Sequence, residues 1–436
     1  MSNNYRSIKP IIYFIDVWIL SGIVLAILPV KSRFNNSLDI FCVCLIFVLI
    51  VSITAIFWFQ KTPIIRIHHY DIKELPERKM VFIIDASSIA TLLGNIFLFY
   101  DRVFIRGINY SLGLRNARYQ WLNSTVSGSA LSKIGNLLIP FSYCALFMGI
   151  YHWENLVPKK RWQAVIFGFG GQVAIAMLNG GRSNILMAIA FAFVTCIIRK
   201  YQGKRMFPKI NGKLVLGAIV GIALIRYVSS IFFFDAENDK AYLTQVANMF
   251  GYDINPTYIS NPLTNLLSQI FLYILHGINF IGAQLKYGGG IADINHNMTF
   301  RGIFVLLGRL PGFNYTMELP SYDGGAGNFI ALPGEMLNDY SYLGFVVACI
   351  FLGILAGDAL KYINRGDHNV SNLELTFTIG VFLQLYLSML GDIIGFGYFL
   401  FMVYAMLVME LLSGLKYGFS GWTSLETDLE EELDVL

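Results

Sequence analysis

Hydrophobic and polar positions follow one another along this chain in long blocks, without the short alternations of a soluble fold. Apolar runs recur from IIYFIDVWILSGIVLAILPV (11–30) to the run at 395–414. Each approaches the roughly 20 residues that a helix needs to cross a hydrocarbon layer. The pattern predicts about ten transmembrane helices, over 11–30, 39–59, 80–100, 135–152, 163–178, 185–198, 214–234, 341–363, 375–390 and 395–414. The first run is too long for the apolar core of a signal peptide and lacks a small-residue cleavage site, so it reads as a span. One long hydrophilic stretch, 235–340, is interrupted by LLSQIFLYILHGINFIGAQL (266–285). That piece carries Gln269, His276, Asn279 and Gln284. Its polar middle predicts an interfacial or re-entrant helix in preference to a full span. The expected fold is an all-α integral membrane protein. Its parts are a seven-helix bundle (1–234), a large loop (235–340), C-terminal helices (341–414) and an acidic tail (415–436).

Composition agrees with this reading: 56% of the residues are hydrophobic and 14% charged, against about a quarter charged in a soluble domain. The net charge of +4 says little; where the charges fall says more. The loop RKYQGKRMFPKINGK (199–213) holds no acid, and the positive-inside rule places it in the cytoplasm. Counting spans backwards puts 157–162, 60–79 and the N-terminus on the same side, and counting forwards puts the C-terminus there too. The turn NGGRSN (179–184) and the stretch 235–340 then face outward. The five cysteines lie inside apolar runs without metal-ligand spacing and read as packing residues, not disulfides.

Outward segments should be poor in basic residues, yet these are rich in arginine. Arg102, Arg106, Arg115 and Arg118 follow the third span, Arg182 sits in the glycine turn, and Arg301 and Arg309 lie in FRGIFVLLGRLPG. Arg226 stands inside the seventh predicted span, about 12 Å from its outer end. Arginine's planar fork suits two-point capture of phosphate oxygens and keeps its charge in a partly dry site. Other roles stay open. Arg102, Arg115 and Arg118 can snorkel to headgroups, and Arg226 can pair with an intramembrane acid such as Asp16 or Asp85. The glycines beside Arg182 allow a ligand close to the backbone.

The run GGRSN between two apolar stretches, followed by a basic loop, resembles the GG(T/S)R signature of bacterial oligosaccharide repeat-unit polymerases, the Wzy-type O-antigen, capsule and common-antigen enzymes. FIRGINY, TVSGSALSKIGNLLIPF and the long late loop are also similar to theirs. Arg301 to Gly312 fits an R-x10-G pattern, and GEMLNDYSYLG (334–344) resembles the close of the family's loop, with Tyr340-Ser341 departing from its glycine spacing. The resemblance implies glycosyl transfer on the periplasmic face of the bacterial inner membrane. The growing glycan would leave its undecaprenyl diphosphate for the non-reducing sugar of an incoming lipid-linked unit. Both termini would be cytoplasmic. The implied partners are those lipid-linked oligosaccharides, membrane lipids and a chain-length regulator protein; no cofactor and no nucleic acid is expected. The related O-antigen ligases, which transfer glycan to a lipid A core, are an alternative. A transporter or flippase for a lipid-linked or anionic solute is a further one.

Such a reaction needs cations for the departing diphosphate, a base for the sugar hydroxyl and a grip on the glycan. Arg182, Arg226, Arg301 and Arg309 are the candidates for the first, which makes a divalent metal unnecessary. The acids of DAEND (235–239) read as a solvated loop start. Glu335 is the first choice for the base, with His276 and Asp323 behind it and Asp339 and His296 as further outward candidates. Each has a plainer role available: Glu335 as a helix N-terminal acid, His276 as a packing residue, Asp323 as part of a turn in SYDGGAGN. Arg106, Tyr315, Tyr322 and Asn328 are candidates to hold the glycan, although Tyr315 and Tyr322, like Phe313 and Tyr340, also suit an interface belt. On this reading Arg182→Ala abolishes polymer while the protein remains in the membrane. Arg182→Lys restores only part, because a point charge cannot fork across two oxygens. Glycan ladders on gels, read beside membrane abundance, check this; a normal ladder from the alanine variant would end the diphosphate role.

Overall fold

The computed structural model describes residues 7–28, 30–34, 36–61, 77–112, 114–124, 129–179, 183–207, 244, 247–248, 251–254, 262–287, 299–303, 321–322, 325–326, 330–364, 371–392 and 397–417. Helices dominate these residues. They are α1 (Lys9–Ile27), α2 (Ser37–Lys61), α3 (Glu77–Tyr100), α4 (Leu114–Leu122), α5 (Ala130–Leu138), α6 (Phe141–Tyr151), α7 (Pro158–Val165), α8 (Gly171–Asn179), α9 (Ser183–Tyr201), α10 (Pro262–Tyr287), α11 (Leu332–Asn364), α12 (Asn372–Tyr386) and α13 (Tyr398–Tyr417). The strands are short. β1 (Val30–Ser32) pairs antiparallel with β2 (Tyr252–Ile254), Val30 facing Ile254, and β3 (Ser321–Tyr322) pairs with β4 (Gly325–Ala326).

Among the described residues, seven helical segments are long and apolar enough to cross a membrane: Lys9–Ile27, Ser37–Lys61, Arg78–Ile105, Ala130–Tyr151, Ser183–Tyr201, Leu332–Asn364 and Tyr398–Tyr417. Each coincides with a run predicted from the sequence. Helix α1 shows why these are not soluble-protein helices. It buries Ile11, Phe14 and Trp18, yet Ile12, Ile19, Leu20, Ile23 and Ile27 on its other faces are exposed. A helix apolar all round belongs inside a large core or in lipid. The predicted run 163–178 falls on α7 and α8, joined by a π-helical turn at Ile166–Gly170. The run 375–390 falls on α12, which stops at Tyr386. The run 214–234 lies outside the described residues. Residues 266–285 belong to α10, one unbroken helix of 26 residues.

The chain forms two compact units. In the first (1–66, 223–365, 377–400), α2 and α11 lie against one another. Gly353 and Gly357, a G-x-x-x-G step, make that approach possible. A Cβ on Gly353 would come within 2.6 Å of Thr54, and one on Gly357 within 2.9 Å of the Ala55 carbonyl. Small residues at this spacing let helix backbones close up where lipid supplies no hydrophobic drive. Helix α10 packs on the connection between α1 and α2, where Phe34, Tyr252, Leu272, Phe280 and Ile330 share one apolar cluster.

In the second unit (67–222, 366–376, 401–436), two charged residues weighed in the sequence, Asp85 and Arg102, have partners within the unit. Asp85, an acid considered for Arg226, is taken by Lys160 and by the Gln163 amide at 2.8 Å. Arg102 does not snorkel: it is 3% exposed, and its guanidinium stacks 4.5 Å over the Trp121 ring. The packing role expected of the cysteines holds for Cys144, Cys196 and Cys349, which are buried, and fails for Cys42, which is exposed; all five are free thiols.

Helix α11 carries one irregularity. Ser341 has φ 60° and ψ −175°, breaking the helix between its first nine residues and the long apolar remainder. That conformation is essentially glycine's, and a side chain there costs about 1–3 kcal/mol. Ser341→Gly should therefore stabilise the protein by about 1 kcal/mol, read as a raised melting temperature in detergent. A lower one would show that the serine hydroxyl outweighs the strain.

Candidate functional site: a buried acidic cluster at the start of α11

The first turn of α11 is anchored by backbone before any side chain is considered. The Ala331 N–H donates to the Gly277 carbonyl of α10 at 3.0 Å, and the Leu332 N–H donates to the Ser388 carbonyl at 2.7 Å. Gly277 has no room for a side chain: a Cβ would meet Ala331 N at 2.8 Å and the Met389 carbonyl at 2.9 Å. Three segments thus meet at one point: the middle of α10, the start of α11, and the turn 387–390 that follows α12. That turn lies at the level of the C-terminal half of α1, since Trp18 donates to Ser388 Oγ at 3.0 Å and Ser21 to Met389 Sδ at 2.8 Å. Counting along α1, this level is about 9–14 Å from its Ile27 end.

Glu335 stands in that first turn, 1% exposed, and among the described residues its Oε2 has no hydrogen-bond partner. The charged groups acting on it are Asp392, Asp339 and Arg301, and the Asp392 backbone N–H donates to its carboxylate. Asp392 and Asp339 are themselves buried. Asp339 is held by Thr299, whose N–H and Oγ1 both donate to Oδ2 at 2.7 Å, and by Asn338 Nδ2, which donates to Oδ1 at 3.0 Å. The cluster thus sorts its acids. Asp339 is saturated and structural, while Glu335 keeps an oxygen unused in a dry setting, the state of a group poised to take a proton or a ligand's hydroxyl.

The structure brings together three residues singled out from the sequence, Glu335, Asp339 and Arg301. His276 is close in the chain to this point, one residue from Gly277; it is fully buried and meets the Phe280 ring edge-on at 6.1 Å. Arg106 is not collected here. It donates to Asp101 at 2.9 Å in the second unit, where Asp101 also takes Ser129 and Arg102. Arg182, Arg226, Arg309, Tyr315, Asp323, Asn328, His296 and the DAEND stretch lie outside the described residues, as does the side chain of Tyr322. Among the described residues no group of acids, histidines and cysteines is arranged to hold a metal.

Sequence reading missed Asp392 and Asp101. Asp392 carried a visible signal: it is the acid in LGDIIGFG, a glycine-flanked break between two apolar runs. Asp101 follows a span directly and precedes Arg102 in sequence, but its role as the centre of a four-residue polar knot depends on Ser129, 28 positions away.

The fold therefore has the build of a multi-pass helical membrane protein, with spanning-length helices and a polar site sunk among them. Compared with protein-family models, curated proteins and solved structures, the chain matches none.

Glu335→Gln keeps the shape of the side chain and removes a buried carboxylate from beside two others, so it should leave the melting temperature unchanged or raise it. Asp339→Asn, which disturbs the Thr299 clamp, should lower it by about 1–3 kcal/mol of stability. Thermal unfolding of both variants in the same detergent checks the division of roles; a large loss from Glu335→Gln would make Glu335 a structural member of the cluster.

Proposed function

We propose that this chain is a glycosyltransferase that polymerises undecaprenyl-diphosphate-linked oligosaccharide units at the periplasmic face of the bacterial inner membrane. The observation that carries the reading is Glu335: a buried carboxylate with one unused oxygen, beside Arg301, in a fold of spanning-length helices. Base and cation are what the reaction asks for. Glu335 takes the proton of the acceptor sugar's hydroxyl. The freed oxygen forms a bond to the anomeric carbon of the donor glycan while that carbon's bond to the diphosphate breaks. Undecaprenyl diphosphate leaves with the electron pair, met by Arg301 and, on the sequence reading, by Arg182, Arg226 and Arg309. The proton then passes from Glu335 to water, which restores the base. The placement of α10 across the α1–α2 connection supports its assignment as an interfacial helix capping the site. The resemblance of GGRSN and GEMLNDYSYLG to the polymerase motifs supports the substrate class.

One observation favours a second reading. Helix α12 stops at Tyr386, and Asp392 lies in non-helical backbone between two apolar helices. Interrupted helices with acids are also how proton-coupled transporters build their sites. A transporter moves its lipid-linked solute unchanged, whereas a polymerase lengthens it.

Purified protein supplied with undecaprenyl-diphosphate-linked repeat units separates the two. Wild-type protein should yield a ladder of longer glycans, with excess EDTA present or absent. Glu335→Gln should bind the same lipid-linked unit and elongate it about 10²-fold more slowly, the scale of a lost general base. Full elongation by this variant would pass the role to His276. No elongation by wild-type protein, with translocation of the intact unit into vesicles, would favour the transporter.

A further inference from the structure

The second unit carries a cavity of about 370 Å³ lined by Trp153, Glu154, Arg161 and Arg205, which the glycosyl-transfer reading does not use. A single buried arginine builds it. Arg199, at the end of α9, donates both bonds of one nitrogen to the Glu154 carboxylate at 2.6 and 2.7 Å. It also donates to the Ile150 and Tyr151 carbonyls of α6 and, through Nε, to the Arg205 carbonyl at 3.1 Å. The end of α6, the turn after it and the segment following α9 are thereby tied into one wall. Burial alone would push the Glu154 carboxyl up; the Arg199 fork outweighs it, and the net displacement is downward. Burial, reinforced by Lys204 and Arg199, pushes the neighbouring His152 down to about 3, so it stays neutral. With Glu154 spoken for by Arg199, the side chains of Arg161 and Arg205 leave the lining cationic.

Two lining residues also have donors to spare. Trp153 is 5% exposed, and its indole N–H has no partner among the described residues; nor does the Nε–H of Arg161. Arg161 is positioned by its stack on Trp153, 5.7 Å from the ring, and by a 3.3 Å bond to the Glu154 carbonyl. A cationic hollow with unused N–H groups fits an oxyanion.

Its place in the fold says which. The spanning segment Ala130–Tyr151 ends two residues before Trp153, and the segment Ser183–Tyr201 ends four residues before Arg205. Val157, Trp162 and Phe207 stand exposed in the same segments, where a soluble surface would be polar. Tryptophan and arginine at the ends of spans sit at headgroup level, and basic pockets between spanning helices take lipid phosphates. We propose that this cavity binds the phosphate of an anionic phospholipid, with Arg161 and Arg205 on the phosphate oxygens and the acyl chains running past the exposed apolar residues.

Native mass spectrometry of the full-length protein, titrated with phosphatidylglycerol or phosphatidylcholine, tests this. Wild-type protein should prefer phosphatidylglycerol. Arg205→Gln, whose side chain stands outside the Arg199 network, should weaken that lipid's binding about fivefold, and the Arg161→Gln/Arg205→Gln pair about 25-fold. Binding of phosphatidylcholine and the lipid-free melting temperature should not change. Equal binding of the two lipids by wild-type protein would overturn the proposal, as would a preference that survives the double substitution. Complete displacement of phosphatidylglycerol by inorganic phosphate at equal concentration would do so too, since it would make the site one for a free anion.

Discussion

Inside an apolar layer a polar group finds no water, so every charge carried into it must be met by the protein itself. This constraint organises the second unit. Arg199 is fully buried and answers with bonds to a carboxylate and three backbone carbonyls. Asp101 is likewise fully buried and is met by two arginines and a serine. Asp85 takes Lys160 and Gln163. Each of these pairings ties together segments that are otherwise apolar and free to slide, so the rule that permits the charge also sets the register of its neighbours. Burying such groups is costly, and paired sites contribute specificity more than net stability.

Against that background, the cluster at the start of α11 departs from the rule. It gathers three carboxylates near one arginine, saturates Asp339 through Thr299 and Asn338, and leaves an oxygen of Glu335 unused. Incomplete satisfaction of a buried polar group is where function is sought first. The backbone is also irregular on both sides of it: α12 has ended, and Ser341 holds a left-handed conformation that no glycine relieves. Non-helical backbone at membrane depth is tolerated where it is enclosed by protein or lines a cavity. Here the chain carbonyls of Gly277 and Ser388 are consumed in fixing α11.

The cavity beside Trp153 follows from the same physics at the edge of the layer, where water and headgroups return. There the guanidinium of Arg161 lies over the Trp153 ring and the ammonium of Lys204 over the Tyr151 ring. Arg102, expected to snorkel beyond the end of α3, does not. Arg102 is drawn inward by Asp101, Asn179 and Trp121. Position along a span therefore does not by itself tell a snorkelling arginine from a buried one; a carboxylate within reach decides it.

What the sequence by itself determined was the set of spanning helices. The runs at 11–30, 39–59, 80–100, 135–152, 185–198, 341–363 and 395–414 each reappear as a helix of spanning length. The reason is that transfer of a helix into lipid depends on the composition of that segment alone. Glu335 was legible too, as an acid placed just before an apolar run. Its company was not. Asp392 lies 57 positions from Glu335 (392 less 335) and Thr299 lies 40 from the Asp339 it clamps. Ser129, Lys160 and Glu154, which meet Asp101, Asp85 and Arg199, lie 28, 75 and 45 positions away from them. No local pattern encodes these pairings, because they depend on which helix faces meet, and the small residues at Gly277, Gly353 and Gly357 govern that only once the helices are packed. Tertiary structure alone decided which charges are satisfied and that an oxygen of Glu335 stays unused, because satisfaction is a property of distance in space and not of position along the chain.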